Sequence, residues 1–358
     1  MRVIKVKSKI RNYRVIFNKF NSFLDKFIRE EGESACYIID KKVWSLYKDN
    51  YFKRLDSSRV IMIKAVEFNK SLKTIMSLYD TLIERCVKRN IVLVSIGGGI
   101  VQDVSGFLAS TIYRGVKWIY APTTLLAQAD SCIGGKTSLN YKNYKNLIGT
   151  FYPPNHIVID VDFNYTQKRI DFYSGIGEMV KLHIMGGNEY LEAILKLLPR
   201  VISKHKDSLL KVIHNSLLIK KEYIERDEFD KGKRNLLNYG HCFGHALETV
   251  SNFKIPHGQA VVIGMMLANI VSRERGALSP RLENKLFNEL LLPILFVKPK
   301  QYLLKEEDII SSIKKDKKRV GAKLPLIIIK DGLSANKVTD LDENEVKLAL
   351  GELSLRIK

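Results

Sequence analysis

Short apolar runs alternate with segments of helical period over the first 160 residues of the chain. Five runs are predicted to be strands: Ala35–Asp40, Val60–Lys64, Ile91–Ile96, Trp118–Ala121 and Ile157–Ile159. Between them, Lys41–Tyr47 and Leu72–Val87 place apolar residues at helical spacing. Strands that alternate with helices form βαβ units, so this part is predicted to be an α/β domain with a mainly parallel sheet.

The pattern changes near residue 165, beyond which apolar positions recur mostly at helical period. The predicted helices are Tyr173–Ile184, Tyr190–Leu198, Leu209–Arg226, Asn235–Val250 and His257–Glu274. Near the end, Pro325–Ile329 is the one segment that reads as extended. We therefore predict two domains, an α/β domain over residues 1–165 and an all-α domain over residues 166–358.

Composition narrows the class of protein. The 358 residues are 46% hydrophobic and 27% charged, which is typical of a globular protein. The four cysteines form no C-x-x-C pair, so neither a disulfide scaffold nor a thiolate zinc site is expected. Charges interrupt the first apolar residues, and no apolar run reaches the ~20 residues that cross a bilayer. We expect a cytoplasmic protein without a membrane partner.

The net charge of +21 raises the question of an anionic partner. Most of the excess is lysine scattered through the chain, without interleaved aromatic residues. No helix-turn-helix or zinc-finger spacing is present. We therefore expect no nucleic-acid partner, although a small anionic substrate fits the charge.

A glycine triplet follows the apolar strand Ile91–Ile96 directly and precedes a helical segment. Gly97, Gly98 and Gly99 let backbone N–H groups approach a pyrophosphate at the positive end of that helix. The triplet misses the G-x-G-x-x-G fingerprint, so a tight structural turn is the alternative. Its place between strand and helix favours a Rossmann-like nucleotide site.

Two further loops carry polar groups. Thr123 and Thr124 follow a predicted strand and are suited either to bind a cofactor or to cap a helix. The segment from Asp130 to Asn140 is predicted to be a glycine-bearing loop whose Lys136 is suited to pair with phosphate or carboxylate. Lys145 and Asn146 follow close behind, and two basic loops after a nucleotide turn indicate an anionic substrate.

Three of the seven histidines, His241, His245 and His257, fall within 17 positions. His241 and His245 are four residues apart, so a helix places both on one face. Together with Glu178 in the predicted helix SGIGEMVK, they suit Zn²⁺ or a similar divalent ion. The spacing does not show which group is not a ligand, and a histidine beside the ion is also suited to acid–base work.

Long segments in a fixed order carry a resemblance to a known family. They are EFNKSLKT, GGGIVQDVSGFLASTIYRG, APTTLLAQADSCIGGKTSLNYKNYKNLIGTFYPP, SGIGEMVK, RDEFDKGKRNLLNYGHCFGHALE, PHGQAVVIGMMLA and KKDKKRVGAKLP, which together span residues 67 to about 325. The chain resembles the 3-dehydroquinate synthase family of the sugar phosphate cyclase superfamily. The resemblance implies that family's fold and an NAD- and metal-dependent lyase of the shikimate pathway, with Zn²⁺ or Co²⁺ as the metal. The implied reaction converts a phosphorylated seven-carbon sugar acid (DAHP) to 3-dehydroquinate and phosphate by transient oxidation, phosphate elimination, re-reduction and aldol closure.

The resemblance also assigns roles to individual positions of this chain. The implied metal ligands are Glu178, His241 and His257, and the implied proton-relay residue is His245. The residues implied to bind the substrate or act on it are Asp130, Lys136, Asn146, Lys181, Lys220, Arg234, Asn238 and one of Lys317 and Lys318. The residues implied to contact NAD are Glu67, Lys70, Gly98, Gly99, Asp103, Thr123, Thr124, Lys136 and Lys145. Arg114 is implied to reach the phosphate site of a second subunit, so a homodimer is expected.

Two other functions are alternatives, and the chain departs from the family pattern at Gln102 and Gln259. Another sugar phosphate cyclase or a metal-dependent polyol dehydrogenase shares the cofactor turn and the histidine site. Arg234 favours DAHP, because a guanidinium binds a carboxylate in a bidentate fork. Gln259 stands where the family usually has Glu, which is expected to remove an anion beside the metal. Gln102 replaces a common small residue and is expected to weaken the grip on the cofactor.

Overall fold

A computed structural model describes residues 2–85, 87–142, 144–299, 305–315 and 324–357. The chain forms two compact units. Unit 1 consists of Met1–Gln167 together with Lys220–Phe229, and unit 2 of Lys168–Ile219 together with Asp230–Lys358. Lys220, which the sequence analysis groups with the second domain, thus belongs by its contacts to unit 1.

Unit 1 is built on a mainly parallel sheet. Its strands are β1 (Arg2–Val6), β2 (Tyr13–Phe17), β3 (Ala35–Asp40), β4 (Val60–Ile63), β5 (Val92–Gly97), β6 (Lys117–Pro122), β7 (Lys136–Tyr141), β8 (Tyr144–Phe151) and β9 (His156–Ile159). Seven of them form one sheet in the order β1-β2-β9-β6-β5-β3-β4, and β7 and β8 form a separate antiparallel hairpin. Only the β1–β2 pair of the large sheet is antiparallel.

The helices of unit 1 are α1 (Phe20–Glu31), α2 (Lys41–Tyr47), α3 (Leu72–Glu84) and α4 (Gly99–Thr111). β5 is buried along its whole length, as expected for a central parallel strand covered on both faces. The chain runs from β3 outward to β4 and then returns across β3 to β5, so the direction of winding reverses between β3 and β5. Ligands of open parallel sheets bind at the carboxyl ends of the strands at such a reversal.

All five predicted strands of this region are confirmed to within two residues at either end. β1 and β2 were not predicted, because charges interrupt their apolar residues. In the structure those charges face outward while Ile4 and Val6 are buried, and exposed charges protect an edge strand from pairing with another chain. The loop predicted over Asp130–Asn140 is wrong in its second part, because the chain from Lys136 onward forms the first strand of the hairpin β7–β8.

In the part of unit 2 that the structure describes, the regular elements are helices and one hairpin. The remaining helices of the chain are α5 (Arg169–Met185), α6 (Asn188–Ile202), α7 (Lys206–Arg226), α8 (His241–Val250), α9 (His257–Glu274), α10 (Pro280–Lys285), α11 (Glu306–Lys315) and α12 (Glu343–Arg356). The hairpin pairs β10 (Leu324–Ile329) with β11 (Ala335–Leu341), and its first strand is the predicted extended segment. None of the described helices has the length and apolar character that crossing a bilayer requires.

One predicted helix of unit 2 is wrong. Asn235–Val250 was expected to be continuous, but the chain forms a 3-10 turn over Lys233–Asn238 and starts a new helix at His241. The break lies at Gly240, whose φ of +79° places it in the left-handed region that glycine tolerates best. The break makes His241 the first residue of α8.

Candidate metal centre and nucleotide site

Three helices of unit 2 approach one another unusually closely. A Cβ on Gly258 of α9 would lie 1.9 Å from the carbonyl oxygen of Ser174 in α5, and the Gly258 N–H donates to Ser174 Oγ at 2.8 Å. A Cβ on Gly264 of α9 would likewise lie 1.9 Å from the carbonyl oxygen of Gly240, next to α8. Because no side chain separates these backbones, α9 packs directly against both partners.

This packing brings together the three predicted metal ligands, one from each helix. Glu178 Oε1 in α5 lies 3.3 Å from His257 Nε2 in α9 and 3.7 Å from His241 Nε2 in α8. One potential ligand atom from each residue lies within 4.8 Å of the others. Lys181, one helical turn beyond Glu178, places Nζ 2.5 Å from Glu178 Oε2.

The donor set fits a divalent cation. Glu178 is 1% exposed, and neither carboxylate oxygen has a hydrogen-bond partner with acceptable geometry among the described residues. Nδ1 of His241 donates to the carbonyl oxygen of Tyr239 at 3.2 Å, and Nδ1 of His257 donates to Glu248 Oε2 at 3.0 Å. Both rings therefore direct Nε2 toward Glu178. A buried carboxylate with two such imidazoles is a donor set typical of Zn²⁺ and related ions.

Charge is balanced locally around this carboxylate. Burial alone would raise the pKa of Glu178, but the Lys181 cation and the two histidines hold it well below its usual range. Burial and the Lys181 charge hold the pKa of His241 well below its usual value. Burial opposes the charge on His257, yet the carboxylates of Glu178 and Glu248 beside its two ring nitrogens raise its pKa to about 10. The carboxylate is thus ionised, and His241 is neutral with a free lone pair for a metal.

Two more residues of α8 line the same cluster. The His245 ring lies 5.4 Å from the His241 ring and 6.1 Å from the His257 ring, measured between centroids. Glu248 accepts from His257, a contact that the sequence analysis missed. A usable signal was present, because His241, His245 and Glu248 are spaced by four and three residues and so share one helix face.

Gln259 does not lie where the sequence analysis placed it. Its Nε2 donates to the carbonyl oxygens of Tyr173 and Ile294, each at 3.1 Å. Its Oε1 accepts from the backbone N–H groups of Phe296 and Val297, at 2.7 and 3.1 Å. The fully buried amide is therefore used entirely by backbone groups, and the expected loss of an anion beside the metal is wrong.

The glycine turn of unit 1 lies between the end of β5 and the start of α4. A Cβ on Gly98 would lie 3.0 Å from Thr124 Cγ2, whereas one on Gly99 would meet nothing within 4 Å. Thr123 donates its N–H to the Gly97 carbonyl oxygen at 3.0 Å. The two threonines thus lie beside the turn, and Thr124 Oγ1 also accepts from the N–H of Ala127 at 3.3 Å, as a helix cap does. Open space at the N-terminus of α4, at the point where the winding reverses, fits a pyrophosphate.

Several of the implied NAD and substrate residues meet in one polar cluster. Lys70 Nζ lies 2.5 Å from both Asp103 Oδ2 and Asn146 Oδ1, and Lys70 is 7% exposed. Ser138 Oγ, which the sequence analysis did not single out, donates to Asn146 Oδ1 at 3.0 Å. Asn146 has a φ of +54°, a left-handed conformation that asparagine tolerates better than most residues. Implied cofactor and substrate residues are therefore in direct contact.

Glu67 is tied to the same region. Its Oε1 accepts from Asn140 Nδ2 at 2.8 Å, and Asn140 Oδ1 accepts from the N–H of Asn146 at 2.9 Å. Asn140 is a second residue that the sequence analysis left without a role. It connects the segment after β4 to the hairpin β7–β8.

Besides Lys70 and Asp103, the candidate residues Asp130 and Lys220 of unit 1 also form an ion pair. Lys220 Nζ lies 2.9 Å from Asp130 Oδ1 and donates to the Asp130 carbonyl oxygen at 2.7 Å. Ser131 exchanges two hydrogen bonds with Gln102 of α4, at 2.7 and 2.8 Å. Gln102 therefore faces the Asp130 segment, a contact that the sequence did not predict.

The remaining candidate residues are distributed over both units. Lys136 and Arg114 are exposed, and Arg114 has a φ of +64°. Lys145 and Asn238 are half-buried, and Arg234 is buried in the turn before α8. The two candidates Lys317 and Lys318 lie outside the described residues.

The chain is similar to known proteins over most of its length. The family model for the N-terminal domain of 3-dehydroquinate synthase matches residues 60–174. The family model for the C-terminal domain matches residues 175–319. A 3-dehydroquinate synthase of Clostridium tetani is 37% identical over 338 residues, 93% of this chain and 86% of the relative.

Two solved structures share the fold. One is 2-epi-5-epi-valiolone synthase from Streptomyces hygroscopicus with NAD⁺ and Zn²⁺ bound, with a TM-score of 0.84, 22% identity, and coverage of 99% of this chain and 100% of that one. The other is 2-deoxy-scyllo-inosose synthase with carbaglucose-6-phosphate, NAD⁺ and Co²⁺, with a TM-score of 0.82, 22% identity, and coverage of 98% and 100%. The fold is that of the sugar phosphate cyclases. Within that class, the chain belongs to the 3-dehydroquinate synthase family.

Proposed function

We propose that this chain is a phosphate-eliminating lyase that converts DAHP to 3-dehydroquinate and phosphate. The observation that carries the proposal is that the two domain models of one family match 260 consecutive residues, 60–319, which include the Glu178, His241 and His257 cluster. A metal-dependent polyol dehydrogenase is not favoured, because the match extends through both family domains. A cyclase for a sugar phosphate without a carboxylate would have no such group for Arg234 to bind.

Each unit is proposed to hold one cofactor. Unit 1 holds NAD at the Gly98–Gly99 turn, with Thr123, Thr124 and the Lys70–Asp103 pair around it. Unit 2 holds a divalent ion at Glu178, His241 and His257, with Zn²⁺ as the proposed ion and Co²⁺ as the alternative. When bound, NAD supplies the transient oxidation and the re-reduction, and the ion supplies Lewis acidity.

The chain's own cations are proposed to recognise the substrate. The Arg234 guanidinium offers a two-pronged donor set to the carboxylate, and Lys220 and Lys136 add single ammonium donors to nearby oxygens. Lys181 neutralises Glu178 in the absence of a metal. Once an ion shares that carboxylate, Lys181 is proposed to pair with the phosphate, together with Asn238.

His245 is proposed to move protons. Its ring lies beside His241 and His257 but is not one of the three groups around Glu178. An imidazole nitrogen is suited to accept the proton of a substrate hydroxyl and to return it later. Asp130 and Asn146 are proposed to orient the substrate hydroxyls.

A homodimer working in the cytoplasm is part of the proposal. Arg114 stands exposed in a turn, as a residue that serves a second subunit must. α3 of the same unit exposes Leu72, Met76 and Ile83, which follow one another at helical spacing along a single face. Exposed apolar residues in such a row are typical of surfaces that bind another protein. The measured mass of the protein in solution tests this part.

The activity is tested by phosphate release from DAHP after removal and re-addition of NAD and a divalent ion. We expect release only when both are present, without net NADH. His241→Ala and Glu178→Gln are expected to lose activity and bound metal together. Arg234→Lys is expected to raise KM and keep the metal; loss of metal in that variant would contradict its assigned role.

Substrate identity needs a separate comparison. DAHP, a heptulose phosphate and a glucose phosphate are supplied at equal concentration, and phosphate is measured. Preference for a sugar phosphate that has no carboxylate would replace the proposal with another cyclase activity. NADH accumulation with polyols would indicate a dehydrogenase instead.

A further inference from the structure

The face of α8 that carries His241 and His245 continues to Glu248 one turn further on. Glu248 Oε2 lies 3.0 Å from Nδ1 of His257, which stands at the first position of α9. A carboxylate only accepts hydrogen bonds, so Nδ1 of His257 is the donor. Glu248 is largely buried, with 12% of its side chain exposed.

This contact fixes the orientation of a ring that would otherwise turn. The imidazole has two nitrogens, and only Nε2 faces Glu178 Oε1, at 3.3 Å. Rotation about the Cβ–Cγ bond would exchange the ring faces and lose the alignment. His241 is held in the same way, but by the backbone carbonyl of Tyr239, which no side-chain substitution removes. His257 depends on a side chain.

We propose that Glu248 is a positioning residue, which holds His257 by Nδ1 so that Nε2 is presented to the metal. The inference rests on the proposed metal site and goes beyond it, because Glu248 is not one of the three ligands. Carboxylates that bind the far nitrogen of a ligand histidine also raise its basicity, and their loss typically weakens metal binding about 10- to 100-fold.

The neighbouring groups offer a different arrangement. His245, Glu248 and His257 also place one potential ligand atom each within 4.8 Å of one another. In that arrangement Glu248 would itself bind an ion, and His257 Nδ1 would bind the same ion instead of donating to the carboxylate. The Glu248–His257 hydrogen bond favours the positioning role. The number of ions bound per chain distinguishes this role from that of Glu248 as a metal ligand.

The test measures metal binding by the full chain after chelation, with Zn²⁺ and Co²⁺ as probes. The variants are Glu248→Ala, Glu248→Gln, His241→Ala as a ligand-loss comparator and Glu189→Gln, an exposed glutamate of α6, as the charge-matched control. Titration calorimetry gives affinity and stoichiometry, and the Co²⁺ visible spectrum reports ligand geometry. NAD binding and thermal unfolding of the metal-free proteins check that the variants fold.

We expect one ion per chain in the wild type, and binding about 10- to 100-fold weaker with a shifted Co²⁺ spectrum in Glu248→Ala. Glu248→Gln should recover part of the affinity, because its amide oxygen still accepts from His257 Nδ1. Should Glu248→Ala fail to fold, Glu248→Gln alone decides, through its affinity and spectrum. Unchanged affinity and spectrum in the folded variants would overturn the proposal, as would two ions per chain of which one is lost with Glu248. These readouts do not depend on DAHP turnover, so an inactive enzyme with the expected metal binding would reject the proposed function and keep the role of Glu248.

Discussion

Gln102 and Ser131 exchange two hydrogen bonds across unit 1: the Gln102 amide donates to the Ser131 carbonyl oxygen at 2.7 Å, and Ser131 Oγ donates to Gln102 Oε1 at 2.8 Å. Gln102 lies in the first turn of α4, which begins at the glycine turn. Ser131 follows Asp130, whose carboxylate pairs with Lys220. The helix next to the proposed nucleotide site therefore holds the segment that carries a proposed substrate residue.

Replacement of Gln102 by Ala is expected to affect substrate binding more than cofactor binding. It removes both contacts to Ser131, each worth about 1 kcal/mol, and loosens Asp130. We expect the KM for DAHP to rise about fivefold or more, with NAD affinity nearly unchanged. Steady-state kinetics and NAD titration measure the two effects.

Gln102→Glu is the matched variant. It keeps the acceptor for Ser131 Oγ but loses the donor to the Ser131 carbonyl, so a smaller rise in KM is expected. If NAD affinity falls while KM for DAHP stays constant, Gln102 serves the cofactor turn instead.

Gly258→Ala is expected to disturb the packing of α9 against α5. The new methyl group would lie 1.9 Å from the Ser174 carbonyl oxygen, so the helices must separate. Overpacking of this kind typically costs about 1–3 kcal/mol. Because His257 is the preceding residue, we also expect lower metal content, measured by metal analysis beside urea unfolding.

Gly351→Ala in α12 is the control for that change, since a Cβ there meets nothing within 4 Å. Alanine favours a helix interior over glycine by up to about 1 kcal/mol, so this variant should be as stable as the wild type or more so. Equal stability of the two alanine variants would show that the close approach at Gly258 is unimportant.

Gln259→Glu is expected to destabilise unit 2. The carboxylate offers no donor to the carbonyl oxygens of Tyr173 and Ile294, and a buried unpaired charge is costly. Burial and these carbonyls should raise the pKa of the new carboxyl, so the variant should lose more stability as pH rises. Urea unfolding at pH 5 and pH 8 compares it with the wild type.

Gln259→Met separates the charge from the loss of hydrogen bonds. It leaves the two carbonyl oxygens and also the N–H groups of Phe296 and Val297 without a partner. Because methionine carries no titrating group, its loss of stability should be similar at both pH values. A Gln259→Glu variant as stable as the wild type at pH 8 would contradict the assignment of this amide to the backbone.

His183 is expected to make unit 2 less stable in acid. It is fully buried in α5, where Nδ1 donates to the Met179 carbonyl oxygen at 2.8 Å, and burial lowers its pKa to about 4. The unfolded chain binds a proton near pH 6.5 and the folded chain does not, so stability falls as pH drops from about 6.5 to 4. The full effect is about 3 kcal/mol.

His183→Leu removes this titration and should show a flatter loss of stability over the same pH range. Urea unfolding at pH 7.5, 6 and 5 measures the difference from the wild type. Parallel stability profiles of the two proteins would show that His183 does not contribute.

Local sequence patterns determined much of the secondary structure and the positions of two motifs. Five strands of the sheet and the helix His257–Glu274 follow from apolar spacing, because period 2 or 3.6 is set by the backbone itself. The positions of the glycine turn and of the His241–His245 pair also follow, since each depends on residues close in sequence.

The tertiary structure decided the contacts between elements. The spacing of His241 and His245 could not show that His257 and Glu178 join His241, or that Glu248 holds His257. It also could not show that Gln259 faces backbone groups, or that Lys220 pairs with Asp130 in unit 1. Periodicity identifies the buried face of a helix, but its neighbour is chosen by packing, here by the direct backbone contacts that Gly258 and Gly264 allow.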